Sequence, residues 1–183
     1  MTSSIMDDPR VVELRSLGAS IGANVFFGPD VYVERDFAPL LTIEDGVVLA
    51  RGVCLLLHDS ALNNTVGEPL KFGRVRLARD CYVGANTTVA CGVTIGARAI
   101  VGACSLVTAD VPADVVAYGH PARVRGTVAD LADKHRRLRA TTDRFGYLEL
   151  VPWRDRRDAD ATARATGTVR SFIERMRQAK RTA

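Results

Sequence analysis

A period of six, sustained over most of the first 112 residues, predicts a β-solenoid: short parallel strands coiled around one apolar column. Three observations carry this reading. Large apolar residues recur at Ile21, Phe27 and Val33, then at Ile43, Leu49 and Leu55, and then at Leu77, Val83, Val89, Ile95, Val101 and Val107. The residue after the anchor is mostly small: Gly22, Gly28, Ala50, Ala78, Gly84, Ala90, Gly96 and Gly102. The third residue after the anchor is Asn, Asp or Gly in nine of twelve units, the residue types that tolerate a left-handed backbone or stabilise a turn. Neither a helix, with period 3.6, nor an ordinary strand, with period 2, gives a repeat of six.

Each unit is therefore a very short strand and a tight corner, and three units close an eighteen-residue coil. Residues 21–112 read as four coils of a parallel β-helix. A second inward row lies four residues after the anchors, at Val25, Val31, Val47, Val53, Thr87, Val93, Ala99 and Ser105. The series is broken twice. A four-residue insertion separates Val33 from Ile43, and a sixteen-residue insertion separates Leu55 from Leu77.

The ends read differently. Residues 1–20 form an N-terminal cap, with Val11, Leu14 and Leu17 as the apolar positions of a short helix over the open coil. Residues 126–183 form a basic helical extension, with helices expected over 128–140 and 159–180. Between them, residues 145–153 form an apolar stretch that packs on a neighbour. Charge follows the same division: residues 1–122 carry a net −4 and residues 123–183 a net +8, within an overall +4. A basic tail could meet nucleic acid or an anionic surface, but it has few interleaved aromatics, which argues for a docking helix instead.

With 183 residues, 47% hydrophobic and 25% charged, the composition is that of one globular domain. The longest apolar run, Val53 to Leu57, is too short to span a bilayer, and the first ten residues have no signal-peptide h-region. The expected compartment is the cytoplasm. Cys54, Cys81, Cys91 and Cys104 form no CxxC pair and read as small buried hydrophobes.

His58 is the most informative polar residue. It takes a corner slot otherwise held mostly by Asn, Asp or Gly, at the mouth of the long insertion 59–76. Histidine titrates near neutrality and suits a general base, with the structural reading of a corner histidine kept beside it. Asp59 and Glu34 are the candidate orienting acids; the eighteen-residue coil plus the four-residue insertion puts Glu34 one coil below His58. Asn63 and Asn64, in the insertion, could touch an acceptor or form a polar loop tip. His135 lies in the basic run Lys134-His135-Arg136-Arg137.

The run Tyr82-Val83-Gly84-Ala85-Asn86-Thr87, then Gly92-Val93-Thr94-Ile95-Gly96, Ile100 through Thr108, and Gly119-His120-Pro121-Ala122-Arg123 resembles the hexapeptide-repeat acyltransferases over about residues 19–125. The resemblance implies an all-β solenoid, specifically a left-handed parallel β-helix, here with a C-terminal α-helical extension. It implies acetyl coenzyme A as acyl donor, no metal, and a homotrimer with sites between subunits. The nearest members transfer acetyl to a hydroxyl of a sugar or similar small acceptor; N-acylation of a nucleotide-linked amino sugar is the alternative, and a non-catalytic scaffold the third reading. The resemblance also gives His58 the role of general base in a direct attack on the thioester. It places Tyr82, Ala85, Ala103, Thr108 and Arg123 along the donor groove. Two departures stand out: Ala109 where relatives often have Lys, and His120 where Asn is usual. A γ-type carbonic anhydrase shares the fold but needs three metal-binding histidines, and His58, His120 and His135 lie too far apart in the coil pattern.

Overall fold

The computed structural model describes residues 8–141 together with the helical positions Arg170, Ser171, Glu174 and Gln178. Asp7–Lys134 is one compact unit and holds every strand among the described residues; those from His135 on belong to a second unit. Three parallel sheets form the faces of a prism. The first face stacks Ser20–Ile21, Leu41–Ile43, Val75–Leu77 and Thr94–Ile95. The second stacks Phe26–Phe27, Val48–Leu49, Tyr82–Val83, Ile100–Val101 and Val115–Gly119. The third stacks Tyr32–Val33, Cys54–Leu55, Thr88–Val89 and Leu106–Val107.

Strand register reproduces the sequence period. Ile21 pairs with Ile43, Ile43 with Leu77 and Leu77 with Ile95. Phe27, Leu49, Val83 and Val101 align on the second face, and Val33, Leu55, Val89 and Val107 on the third. All twelve anchors are buried, so one continuous column fills the prism. Each large aliphatic side chain removed from water contributes about 1.5–3 kcal/mol. The second inward row is buried from Val47 onward, whereas Val25 and Val31 are only partly covered, because the first coil has another coil on one side only. Thr87 and Ser105 are the buried polar members of that row. Both hydroxyls donate to the Gly102 carbonyl, and the Ser105 Oγ accepts the Gly119 N–H.

Nine of the twelve corner residues have positive φ: Asn24, Asp30, Gly46, Gly52, Asp80, Asn86, Gly92, Arg98 and Cys104. Arg98 and Cys104 pay the strain without being Asn, Asp or Gly, because the coil fixes the corner whatever residue occupies it. The last coil is tighter than the period predicts. Val111, four residues after Val107, bridges to Ile95, so the regular left-handed corner falls at Asp114, and Asp110 is not left-handed.

Helix α1 (Pro9–Ser16) starts at Asp8, whose carboxylate accepts the Arg10 N–H, and buries Val11 and Leu14 against the first coil. The Arg10 guanidinium donates to the Phe27 and Gly28 carbonyls, tying the cap to the second face. Leu17, expected to face inward, is instead exposed at the helix end. The long insertion contains helix α2 (Ala61–Val66) and an antiparallel pair, His58–Asp59 with Lys71–Phe72. Near the C-terminus, Ala122–Thr127 folds back antiparallel on Val115–Gly119, a hairpin the six-residue period does not reveal. Helix α3 (Val128–Thr141) follows, opened by reciprocal hydrogen bonds between Thr127 and Asp130. The expected helix over 159–180 falls largely outside the described residues, as does the apolar stretch 145–153; the four described positions in that range are helical.

Candidate active site

The three corner slots that do not adopt positive φ are Asp36, His58 and Asp110, and all three join the third face to the first. Only Gly92, in the third coil, keeps the regular turn there. The first coil leaves this corner through the 3-10 helix Arg35–Leu40, and the second through the long insertion. Both excursions therefore start from one edge of the prism, one coil apart, where parallel strands are about 4.8 Å apart.

That geometry brings Glu34 to His58. The Glu34 Oε2 accepts the N–H of Leu57 at 2.6 Å and of His58 at 3.0 Å, and lies 2.9 Å from Nδ1 of the His58 ring. Nδ1 is thus in contact with the carboxylate but makes no hydrogen bond of acceptable geometry to it. The Glu34 side chain is 11% exposed and His58 29%. A carboxylate held by two amides cannot swing away, and the ring it faces is fixed with it. With Nδ1 turned to Glu34, Nε2 is the nitrogen left for an incoming group.

Two phenyl rings complete the cluster. Phe37, from the 3-10 helix, lies 4.8 Å from the His58 ring centroid to centroid. Phe72 pairs with His58 across the antiparallel ladder, its ring 6.2 Å away and inclined by 30°, and meets Phe37 edge-on at 5.1 Å. The sequence reading missed both. A signal was present: aromatics are only 6% of the chain, yet each insertion brings a Phe to this corner.

The remaining candidates are spread over the prism. Asp59 turns its carboxylate to the Ala61 N–H at the start of α2. Asn63 and Asn64 are exposed on α2, and the Asn63 Nδ2 donates to the Glu68 carbonyl. Ala85 and Ala103 stack at the corner between the second and third faces, where the Cys104 N–H meets the Ala85 carbonyl at 2.8 Å. A Cβ on Gly84 would come within 2.4 Å of the Ala103 nitrogen, so glycine is required for that stack. Tyr82 projects outward on the second face. Thr108 is exposed at the same edge as His58, two coils on. Arg123 is exposed in the hairpin opposite Tyr118. His120, in the turn before the cis Pro121, and His135, on α3, are exposed, and the described residues hold no metal-binding cluster.

Three parallel faces built from six-residue units, with a histidine–carboxylate pair at one edge, make up a β-helix of hexapeptide repeats. Residues 74–109 match the family described as bacterial transferase hexapeptide (six repeats). The galactoside O-acetyltransferase of Escherichia coli (strain K12) is 32% identical over 123 residues, covering 63% of this chain and 60% of that protein. A dTDP-3-amino-3,6-dideoxy-α-D-galactopyranose 3-N-acetyltransferase of Aneurinibacillus thermoaerophilus is 42% identical over 66 residues, or 36% of this chain and 34% of that protein. The chain thus spans less than two thirds of these curated relatives. A hexapeptide-repeat acetyltransferase from Vibrio cholerae superposes with a TM-score of 0.54 at 23% identity, covering 69% of this chain and 84% of that one. The same protein solved with acetyl coenzyme A gives 0.53, with coverage of 69% and 80%. The fold is the left-handed parallel β-helix, and the chain resembles the hexapeptide-repeat acetyltransferases.

Proposed function

We propose that the chain is an acetyl coenzyme A-dependent acetyltransferase acting on a hydroxyl of a sugar or similar small acceptor. The observation that carries this reading is the Glu34–His58 pair at the edge from which both insertions emerge. The Nε2 of His58 takes the proton as the acceptor oxygen attacks the thioester carbonyl carbon. The tetrahedral adduct collapses, the carbon–sulfur bond breaks, and the coenzyme leaves as the thiol after receiving that proton. Glu34 holds the ring and stabilises its protonated form. Asp59, with its carboxylate on a backbone amide, is given the secondary role of shaping the insertion. Asn63 and Asn64, exposed on α2, are given the role of meeting an acceptor's hydroxyls.

The donor runs along the corner and faces marked by Tyr82, Ala85, Ala103, Thr108 and Arg123. Small side chains leave backbone amides and carbonyls open to a pantetheine arm, and Arg123 suits a phosphate. These residues do not close into one pocket on the prism, which favours a groove completed by a second copy. The outward ladder of the second face is apolar throughout, with Phe26, Val48, Tyr82, Ile100 and Val116 in register. The first face presents Ser20, Thr42, Arg76 and Thr94 instead. We therefore assign the second face to subunit packing in a homotrimer. In this arrangement residues 21–125 carry the chemistry, 1–20 cap it, and 126–183 form the basic extension. No helix among the described residues is long and apolar enough to cross a membrane, and four unpaired thiols suit a reducing cytoplasm.

A second reading, N-acetylation of an amino sugar, is favoured by the relative that is 42% identical over 66 residues. The same base serves both. Calorimetric titration with acetyl coenzyme A tests the donor: one saturable site per chain is expected, and no binding at millimolar donor would return the chain to the scaffold reading. Thiol release with galactosides and with amino sugars then separates the two acceptor classes.

A further inference from the structure

The wall around His58 is aromatic, and both of its rings come from the insertions. Phe37 is half-buried and packs on the imidazole at 4.8 Å. Phe72 is 48% exposed, so a large part of its ring is offered to solvent beside the base. An exposed phenylalanine held in a fixed strand position, edge-on to a second phenylalanine, costs solvation unless something covers it. The two groups that fix Phe72 are both backbone. His58 and Phe72 are cross-strand partners, and the next residue, Gly73, donates its N–H to the Leu57 carbonyl at 3.1 Å. The backbone of Phe72 is thereby fixed beside His58, and its ring rests edge-on against Phe37.

We infer that Phe37 and Phe72 are specificity-determining residues that form a stacking platform for the acceptor. The acceptor class is a ring compound with an apolar C–H face beside its reacting hydroxyl, such as a pyranose, in preference to an open-chain polyol. Stacking on a fixed ring removes two rotational freedoms of the acceptor and leaves its equatorial hydroxyls pointing past the ring edge, toward His58. An open-chain polyol has no continuous C–H face and must lose its torsional freedom to present one. This inference rests on the acetyltransferase reading, with His58 as the base.

The test uses the full chain with methyl β-galactoside and galactitol as paired probes. Saturation-transfer NMR, irradiating aromatic resonances without donor, reads stacking alone. Transfer to the ring C–H protons of methyl β-galactoside is expected in the parent protein and is lost in Phe72→Ala. With acetyl coenzyme A, the ratio of kcat/KM for methyl β-galactoside over galactitol falls about ten-fold in Phe72→Ala and is kept in Phe72→Tyr. Phe37→Leu lowers the same ratio and checks the second ring. An unchanged ratio in Phe72→Ala, or equal transfer to both probes, overturns the platform. If no acceptor is acetylated, or if His58→Ala retains turnover, the acetyltransferase reading or its base fails, while the NMR experiment still decides the platform.

Discussion

At the corner between the second and third faces, Asp30, Gly52, Asn86 and Cys104 succeed one another coil by coil, all with positive φ. Their N–H groups bond to the carbonyls of Pro29, Arg51 and Ala85 in the coil below, from Gly52 upward. At the corner between the third and first faces, the corresponding residues are Asp36, His58, Gly92 and Asp110, and only Gly92 keeps the turn. The coils are the same and the anchors equally buried, so the two corners differ in what leaves them. One is a repeated structural joint, and the other is opened twice to carry side chains that the column does not need. A solenoid can host chemistry in this way because each coil depends only on its neighbours.

Substitutions three residues apart break the comparison most sharply. Replacing Leu55 by Ala empties part of a fully buried column and is expected to cost about 2–5 kcal/mol in denaturant melts. His58→Ala, at the partly open corner, leaves the melt within about 1 kcal/mol but lowers kcat by about 10²–10⁴-fold in a thiol-release assay. Equal effects on folding from the two would mean that the corner is structural after all.

Glu34→Gln comes next. Its amide oxygen can still accept the Leu57 and His58 N–H groups, but the negative charge facing Nδ1 is gone. A loss of about 10–100-fold in kcat is expected, with acetyl coenzyme A affinity unchanged by calorimetry. Glu34→Ala removes the amide acceptor as well and should also lower the melting temperature.

Two glycines with nearly equal φ sharpen the contrast further. Gly52, at φ +68°, has the Asn86 Oδ1 2.3 Å from where a Cβ would sit, whereas Gly67, at φ +74° in the insertion, has nothing within 4 Å. Gly67→Ala should cost about 1 kcal/mol, from backbone strain alone. Gly52→Ala adds a steric clash and should cost about 1–3 kcal/mol more.

The smallest effect is on thiol reactivity. Burial pushes the Cys81 thiol up to about 12, and burial, then the charge of Glu34, raises Cys54. Because the raised value keeps Cys81 protonated, moving from neutral pH to about 9 should not make it reactive. Ellman's reagent should label exposed Cys104 first and half-buried Cys54 more slowly, with Cys81 and Cys91 reacting only on unfolding.

The column was legible because a period of six is imposed by closure of the coil, and every anchor repeats the same physical demand. The corners were legible for the same reason, although Arg98 and Cys104 show that backbone geometry can override residue preference. Glu34 could be placed beside His58 by counting coils, since register transmits position along the axis. Phe37 and Phe72 could not, because each lies inside an insertion, where the period gives no coordinate. The C-terminal hairpin was hidden for a related reason: Val111 shortens the last turn by two residues, and the chain then reverses instead of coiling.

The return of the long insertion follows from two glycines. A Cβ on Gly73 would lie 2.3 Å from the Gly92 nitrogen, so the chain re-enters by lying directly on the one regular turn of that edge. Entry and exit are also joined, through the Gly73 N–H and the Leu57 carbonyl. Residues 60–70 therefore hang from a closed clasp, and their length and composition can drift without transmitting a shift to the coils. The β-helix is in this sense a chassis with an exchangeable cassette: one surface segment can be rewritten while His58 and Glu34 stay in place.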